Sequence, residues 1–301
     1  MAEEIIKSYG KINLSLNISG VRDDGYHSVE TVMQKISLCD TVSVKWTPAE
    51  SRSIEISLDS NKIFLPKDER NIAYKAAALM AEKFSEKIGG GKIEIYLDKH
   101  IPVSAGLAGG SGNGAAVLTA LNKLWGVKLS TRALCRLGAG LGADVPFCVL
   151  TQNSKYGCAL GEGTGAELTA VKSRFKRALL LVKPAFGVST KEVYQGIDGC
   201  VISERPDTSK LTDSLRNGDV KAIYEQMINV LEVYTLDKYE EVRNIKREIE
   251  KETAAEKVLM TGSGPTVFAL FQAREKAAAA VSSLRDLKEQ GYSIFLVKTL
   301  Q

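Results

Sequence analysis

The sequence predicts a mixed fold of the α+β class with two domains. At 301 residues the chain is long enough for two domains of ordinary size. Its first 60 residues carry β-branched residues in partly alternating order, as in KINLSLNI, TVMQKISL and TVSVKW. The pattern changes after Gly165, near residues 155–165, and we therefore expect one domain over residues 1–160 and a second over residues 161–301.

The elements of the first domain follow in order along the chain. RDDGYH predicts a turn after the first strand, and Asn71 is expected to cap a helix that ends at three glycines, residues 89–91. KIEIYL alternates like a strand. A glycine-rich loop then leads into a helix closed by Gly126, and a further helix from about Thr131 to Leu141 leads into GADVPF.

The second domain alternates between strands and charged helices. RALLLV predicts a strand, residues 218–234 and 238–251 predict two long helices, and KVLMTG and TVFALF predict strands about a tight GSGP turn. A helix over residues 274–290 and the strand YSIFLVK complete the prediction. Glu162, in GEGTG, is interpreted as a hairpin residue.

Composition and charge exclude several classes of protein. The apolar fraction of 44% and charged fraction of 25% are ordinary for a folded, soluble chain, and a net charge of +4 is too small to argue for a nucleic-acid partner. The five cysteines are widely spaced without a CxxC pair, which favours reduced thiols and disfavours a zinc site. The most apolar run is far too short to span a bilayer. We expect a cytoplasmic monomer or homodimer.

The loop IPVSAGLAGGSGNGAA, residues 101–116, holds five glycines and opens a helix. Backbone N–H groups at a helix start attract anions, and glycine allows a phosphate to approach closely. The loop lacks the lysine of a P-loop, and it lacks the acidic residue that a dinucleotide-binding fingerprint requires about 20 positions later. A phosphate cradle and a turn that allows close packing of helix and strand both remain open.

The stretch from Lys99 to Ala143 contains no acidic residue, and its basic residues suit a polyanion such as a triphosphate. Asp144, in LGADVPF, is the first carboxylate after this gap and is a candidate proton acceptor for a hydroxyl nucleophile. Lys11, in GKINLSLN, is a candidate partner that would keep such a carboxylate ionised. Taken singly, Asp144 is also a common turn former and Lys11 a common surface lysine.

Four stretches in one order, GKINLSLNISGVRDDGYH, IPVSAGLAGGSGNGAA, LGADVPF and TGSGPTVFALF, resemble the superfamily of galactokinase, homoserine, mevalonate and phosphomevalonate kinases. The likeness covers essentially the whole chain. Within the superfamily, the DGYH turn, the glycine loop and GADVPF most resemble the kinases of the non-mevalonate isoprenoid pathway that act on a cytidine-diphosphate-linked methylerythritol. The resemblance implies a first domain like the second domain of ribosomal protein S5 and a ferredoxin-like second domain.

The resemblance also implies an activity and its cofactors. It implies phosphorylation of the 2-hydroxyl of the cytidine-linked acceptor by ATP and Mg²⁺, with the metal ligands left open. Three other hypotheses remain: a kinase of the same superfamily with a different acceptor, a dinucleotide-dependent oxidoreductase, which would need a ribose-binding acid that the sequence lacks, and a non-catalytic RNA-binding protein. The turn around Gly262 and Gly264 is expected near the phosphates.

Individual residues take roles from the same resemblance. Asp144 matches the catalytic aspartate and Lys11 its lysine partner. The residues that match the acceptor site are Asn13 beside the methylerythritol, Tyr26, His27 and Tyr194 around the cytosine, and Asp144 itself. The residues that match the ATP site are Asn71, Ile72, Lys99, Pro102, Gly106, Leu107, Ala108, Gly109, Gly110, Ser111 and Gly112.

Two positions depart from the pattern of these kinases. Tyr9 and Gly10 stand before Lys11 where proline and alanine are usual, and Gly112 follows Ser111 where a second serine or a threonine is usual. From the missing hydroxyl we expect weaker nucleotide binding, an altered metal arrangement or a paralogue with a shifted substrate.

Overall fold

The structure is a computed structural model, and it describes residues 1–50 and 53–301. The chain forms two compact units made of interleaved segments. The first unit contains Met1–Gly10, Cys39–Pro102 and Ala108–Ser154, and the second contains Lys11–Leu38, Val103–Leu107 and Lys155–Gln301. A domain division at residue 160 stays a prediction.

Ten strands are present in the described residues. They are β1 (Ala2–Val21), β2 (His27–Pro48), β3 (Ile54–Ser60), β4 (Gly91–Asp98), β5 (Cys158–Glu162), β6 (Glu167–Val171), β7 (Ala178–Lys183), β8 (Lys257–Met260), β9 (Val267–Phe271) and β10 (Ser293–Lys298).

Eleven helices are present in the same part of the chain. They are α1 (Ile72–Ile88), α2 (Gly109–Leu124), α3 (Thr131–Ala139), α4 (Val145–Gln152), α5 (Thr190–Ile197), α6 (Thr208–Asn217), α7 (Val220–Gln226), α8 (Glu232–Lys238), α9 (Glu240–Glu252), α10 (Arg274–Ser283) and α11 (Arg285–Glu289).

The first unit places α1, α2 and α4 beside paired strands. The C-terminal half of β2 pairs antiparallel with β4, and β3 pairs parallel with β4. Helix α2 packs against α1 and α4, and most of its residues between Gly112 and Leu121 are buried. Asn71 caps α1 as predicted, because its side chain accepts a hydrogen bond from the Ala73 N–H at 3.0 Å.

The second unit contains a four-stranded antiparallel sheet in the order β10-β7-β9-β8. Between these strands the chain runs strand, helices, strand, strand, helices, strand, which is the ferredoxin-like arrangement that the resemblance implies. The N-terminal half of β2 pairs with β5, and β5 and β6 form a hairpin whose turn includes Glu162 as predicted. The mixed two-domain fold is therefore confirmed.

One long helix was expected over residues 218–234, and that prediction is wrong. Helix α7 ends at Gln226, and the backbone then leaves the helix to pair with β1: Leu16 N–H donates to Ile228 O at 2.9 Å, and Val230 N–H donates to Leu16 O at 3.0 Å. The predicted helix over residues 274–290 is likewise divided, into α10 and α11 at Leu284.

A membrane-spanning helix is absent from residues 1–50 and 53–301, since none of the helices there is both long enough and apolar enough to cross a bilayer.

Candidate active site

Helix α2 begins without a side-chain cap. Ala108, the residue before the helix, takes a left-handed conformation with a φ of 57°, and its side chain makes no capping hydrogen bond. The first turn contains no acidic residue. Gly110 is exposed and Gly109 is half-buried, so the first N–H groups of α2 are open to an approaching anion, as in a phosphate cradle.

Two glycines deeper in α2 serve packing instead. A Cβ on Gly114 would lie 2.6 Å from Ile72 Cγ2 on α1, which is too close for carbon atoms. A Cβ on Gly112 would overlap Ser8 Oγ on β1, and Ser8 is fully buried. The structure therefore shows close packing at Gly112 and Gly114, and the phosphate cradle at Gly109 and Gly110 stays a prediction.

Asp40 anchors the segment that precedes the loop. Its Oδ1 accepts the backbone N–H groups of His100 at 2.7 Å and Ile101 at 2.8 Å, and its Oδ2 accepts Lys99 Nζ and, at 3.0 Å, Asn113 Nδ2. Lys99 Nζ also donates to Asn113 Oδ1 at 2.8 Å. This network joins the end of β4 to the second turn of α2, so it positions the loop between them.

The Lys99 ammonium lies inside the protein, where it contacts Asp40. Lys99 is 4% exposed and Asp40 is fully buried. Burial lowers the pKa of the Lys99 ammonium, and the Asp40 carboxylate opposes that change. The sequence pattern groups Lys99 with basic residues that would attract a polyanion, whereas in the structure Asp40 largely neutralises this ammonium. Its place beside the adenine stays a prediction.

Asp144 occupies the position immediately before α4. The residue is half-buried, and Pro146 lies in the first turn of the helix that follows, where a proline costs no hydrogen bond. The Asp144 side chain makes no capping hydrogen bond with its own helix. An acidic side chain at this end of α4 interacts favourably with the helix dipole. An ionised carboxylate is the form that a proton acceptor needs.

Lys11 and Asn13 lie side by side in the second unit. Lys11 is 3% exposed, and its Nζ donates to Asn13 Oδ1 at 2.8 Å. Asn13 Nδ2 donates to Thr31 Oγ1 at 2.8 Å, and Asn13 N–H donates to Thr261 Oγ1 at 3.1 Å. The interpretation of Lys11 as an ordinary surface lysine is wrong, because the ammonium is buried and held by a side-chain network.

The GSGP segment forms the predicted turn beside this network. Gly264 N–H donates to Thr261 O at 3.0 Å, and Thr261 Oγ1 lies 3.4 Å from Gly106 O. Asn229 Nδ2 donates to Met260 O at 2.9 Å and to Gly262 O at 2.8 Å. The turn is thus held from both sides, by Thr261 against Gly106 and by Asn229.

Two residues at the end of α5, Tyr194 and Asp198, contact the imidazole of His27 from a distant part of the sequence. The His27 ring lies 5.3 Å from the Tyr194 ring between centroids, at an angle of 55°. His27 Nε2 lies 2.8 Å from Asp198 Oδ1. The predicted neighbour Tyr26 is 67% exposed, in the turn closed by Arg22 N–H donating to Tyr26 O at 2.7 Å.

The structure groups the predicted residues within each unit. Asn71, Ile72, Lys99, the start of α2 and Asp144 belong to the first unit, and Lys11, Asn13, Gly106, His27 and Tyr194 belong to the second. Sequence reasoning missed six residues of these networks: Thr31, Asp40, Asn113, Asp198, Asn229 and Thr261. Thr261 lies inside the motif TGSGPTVFALF, so its place in that motif was the available signal, and the structure shows that it is buried.

Two family models match the chain. The model for the GHMP kinases N terminal domain matches residues 71–152, and the model for the GHMP kinases C terminal domain matches residues 211–290. The first match covers α1, the glycine loop, α2 and Asp144. The second covers the segment from α6 to α11.

Similar proteins match over nearly their whole length. A 4-diphosphocytidyl-2-C-methyl-D-erythritol kinase of Alkaliphilus oremlandii is 43% identical, over 98% of this chain and 97% of that protein. The protein of the same name in Clostridioides difficile is 44% identical, over 96% of this chain and 94% of its own. A crystal structure of 4-(cytidine 5'-diphospho)-2C-methyl-D-erythritol kinase matches with a TM-score of 0.77 and 26% identity, over 99% and 100% of the two chains.

Proposed function

We propose, from the premise that this chain belongs to the GHMP kinase family, that it phosphorylates the 2-hydroxyl of 4-diphosphocytidyl-2-C-methyl-D-erythritol in the non-mevalonate isoprenoid pathway. The observation that carries the proposal is identity above 40% to relatives of that name over nearly the full length of both chains. The chain is an ATP-dependent small-molecule kinase.

The start of α2 is the proposed binding site of the triphosphate. Its uncapped N–H groups and the exposed Gly110 support this assignment, because an anion at this end of the helix gains from the helix dipole without a side chain in the way. Asp40 and Lys99 hold the preceding segment in place. Asn71 and Ile72, at the start of α1, are the proposed neighbours of the adenine.

Mg²⁺ is the proposed metal. It usually keeps several waters and binds through one or two carboxylates together with the phosphates of the nucleotide. When bound, the ion neutralises phosphate charge.

Asp144 is the proposed proton acceptor. Direct in-line transfer needs a positioned acceptor for the proton of the attacking hydroxyl, and no covalent phospho-enzyme. A half-buried carboxylate at the start of α4 suits this role. Lys11, whose ammonium is buried beside Asn13, is the proposed cation that offsets charge on the attacking oxygen.

The cytosine is the proposed ligand of Tyr26, His27 and Tyr194. Two aromatic residues and an imidazole in a small region suit a planar base that can stack and accept or donate hydrogen bonds. The contact between His27 and Tyr194 supports a shared pocket. Asn13, anchored by Thr31 and Thr261, is the proposed contact of the methylerythritol.

An acceptor panel tests the proposed function. ADP release would be measured with ATP and Mg²⁺ in the presence of the cytidine-linked methylerythritol, mevalonate, phosphomevalonate or homoserine. We expect turnover with the cytidine-linked compound alone. Turnover with one of the other acceptors instead would refute the proposed acceptor and leave the kinase assignment in place.

A substitution of Asp144 tests the proposed chemistry. Asp144→Asn should lower kcat by roughly 10²- to 10⁴-fold, the usual effect of losing a positioned base. Asp213→Asn is the matched control, since Asp213 is an exposed acid on α6 that pairs with Arg216. Wild-type turnover by Asp144→Asn would exclude this residue as the base.

A further inference from the structure

Asp198 makes a contact with His27 that the proposed mechanism does not use. Its Oδ1 lies 2.8 Å from His27 Nε2, and the His27 side chain is 8% exposed while that of Asp198 is 51% exposed. Asp198 lies at the C-terminal end of α5, where the helix dipole disfavours a carboxylate. The contact with His27 therefore compensates an otherwise unfavourable position.

Helix α5 presents two groups to the same imidazole. Tyr194 and Asp198 are four residues apart, so they lie on one face of the helix. Val193 and Ile197 are buried in the core of the second unit, which fixes the orientation of that face. One side of the imidazole contacts the Tyr194 ring, and Nε2 contacts the Asp198 carboxylate.

The contact determines where the proton of His27 resides. An ionised carboxylate accepts hydrogen bonds and cannot donate them, so Nε2 must carry the hydrogen. In the neutral ring, Nδ1 then has a lone pair and no hydrogen. Within residues 1–50 and 53–301, the structure records no hydrogen-bond donor for Nδ1.

We propose that Asp198 is a positioning residue that fixes His27 with hydrogen on Nε2 and so makes Nδ1 an acceptor for the amino group of cytosine. The proposal rests on the proposed function for the identity of the base. Cytosine carries an amino donor where uracil carries a carbonyl oxygen. An Nδ1 that can only accept therefore favours the cytidine-linked acceptor over its uridine-linked analogue.

Asp198→Asn removes the carboxylate that fixes the His27 tautomer while keeping the shape of the side chain. The asparagine amide can rotate and either accept from Nε2 or donate to it, so both tautomers of His27 become accessible. We expect kcat/KM for the cytidine-linked acceptor to fall roughly 10- to 100-fold, mainly through KM, as for one misdirected hydrogen bond. The preference for cytidine over uridine should shrink, and KM for ATP should stay unchanged.

Glu192→Gln is the matched control on the same helix. Glu192 pairs with Lys238 and accepts a hydrogen bond from Tyr239 Oη at 3.1 Å, away from His27. The variant removes the same charge from α5 and should leave the preference for cytidine intact. An equal loss of preference in both variants would overturn the proposal, because it would show a general effect of charge on α5.

Nitrogen NMR of the ligand-free protein gives a second readout that needs no substrate. The chain has two histidines, and a His100→Gln variant assigns the signals of His27. We expect the Nε2–H tautomer in the wild type and a mixture in Asp198→Asn. An unchanged tautomer and unchanged kinetics in Asp198→Asn would refute the proposal.

The two readouts separate this proposal from the proposed function. If the wild type failed to phosphorylate the cytidine-linked acceptor, the proposed function would fall. A tautomer that is fixed in the wild type and released in Asp198→Asn would still support Asp198 as the residue that positions His27.

Discussion

Gly112 should be exchangeable for a larger residue when Ser8 is made smaller. A Cβ at position 112 would overlap Ser8 Oγ, and it would lie at ordinary contact distances of 3.5 Å from Tyr9 O and 3.8 Å from Cys148 Sγ. The conflict is therefore confined to one hydroxyl. That hydroxyl is buried, and it has no hydrogen-bond partner in the described part of the chain.

The expected energies follow from these contacts. Gly112→Ala gains about 1 kcal/mol of helix propensity but overpacks the site by about 1–3 kcal/mol, so the single variant should be neutral or up to about 2 kcal/mol less stable. Ser8→Ala removes an unsatisfied buried hydroxyl and should be close to neutral. The double variant keeps the propensity gain without the overlap, and the coupling energy should be about 1–3 kcal/mol.

Urea unfolding of the wild type, the two single variants and the double variant would measure the coupling energy between positions 8 and 112. Gly110→Ala is the control on the same helix, since a Cβ there meets Ile72 Cδ1 at 3.7 Å and causes no overlap. We expect no loss of stability in that control. Additive effects of Gly112→Ala and Ser8→Ala would refute the reasoning, because they would show that Ser8 does not occupy the space of a side chain at position 112.

Three further predictions concern buried or half-buried side chains. Asp40→Asn leaves the Lys99 ammonium buried without its anion and should lower the free energy of unfolding by about 3–5 kcal/mol, while Asp98→Asn, at an exposed pair with His100, should lower it by less than about 1 kcal/mol. Urea titrations compare the two variants, and equal losses would contradict the role given to Asp40. Burial raises the pKa of the Cys158 thiol to about 12, so a thiol reagent at pH 8 should modify Cys158 only after the protein unfolds. Peptide mapping would locate the modified cysteine, and fast labelling of Cys158 in the native protein would disprove this prediction. Asn71→Ala removes the cap of α1 and should lower the free energy of unfolding by about 1 kcal/mol, and an unchanged urea midpoint would argue against that cap.

The local pattern of the sequence predicted the elements that depend on local chemistry. The cap at Asn71 and the start of α2 at the glycine loop follow from side chains within a few residues. The break after α7 does not, because it is caused by pairing of Leu16 with residues 228–230, more than 200 positions away. An apolar spacing typical of a helix cannot reveal such a contact.

The same distinction holds for the candidate site. Lys11 and Asn13 lie within one motif, and the structure joins them at 2.8 Å. Asp40 lies 59 residues before Lys99, in a strand pattern that gives no sign of the pair. Asp198 follows α5, and the sequence analysis does not predict that helix. Two signals for it are present in the sequence: Ser189 can cap a helix, and Tyr194 and Asp198 are four residues apart, which places them on one helical face.

Gly112 stands where related kinases usually have a serine or threonine, and the structure shows a packing contact at this position that the sequence does not predict. From the sequence, the missing hydroxyl predicts weaker nucleotide binding, an altered metal arrangement or a paralogue with a shifted substrate, and this stays a prediction. The structure adds that Ser8 fills the space at this position from β1. A contact with Ser8, more than 100 positions before Gly112, cannot be recognised from a motif that covers the loop alone.

The product of the reaction tests the central claim most directly. The wild-type protein would be incubated with ATP, Mg²⁺ and 4-diphosphocytidyl-2-C-methyl-D-erythritol, and phosphorus and carbon NMR would locate the new phosphate. The account predicts one phosphate ester on the 2-hydroxyl of the methylerythritol, formed in equal amount to ADP. A phosphate on another hydroxyl, or ADP formed without a phosphorylated acceptor, would contradict it.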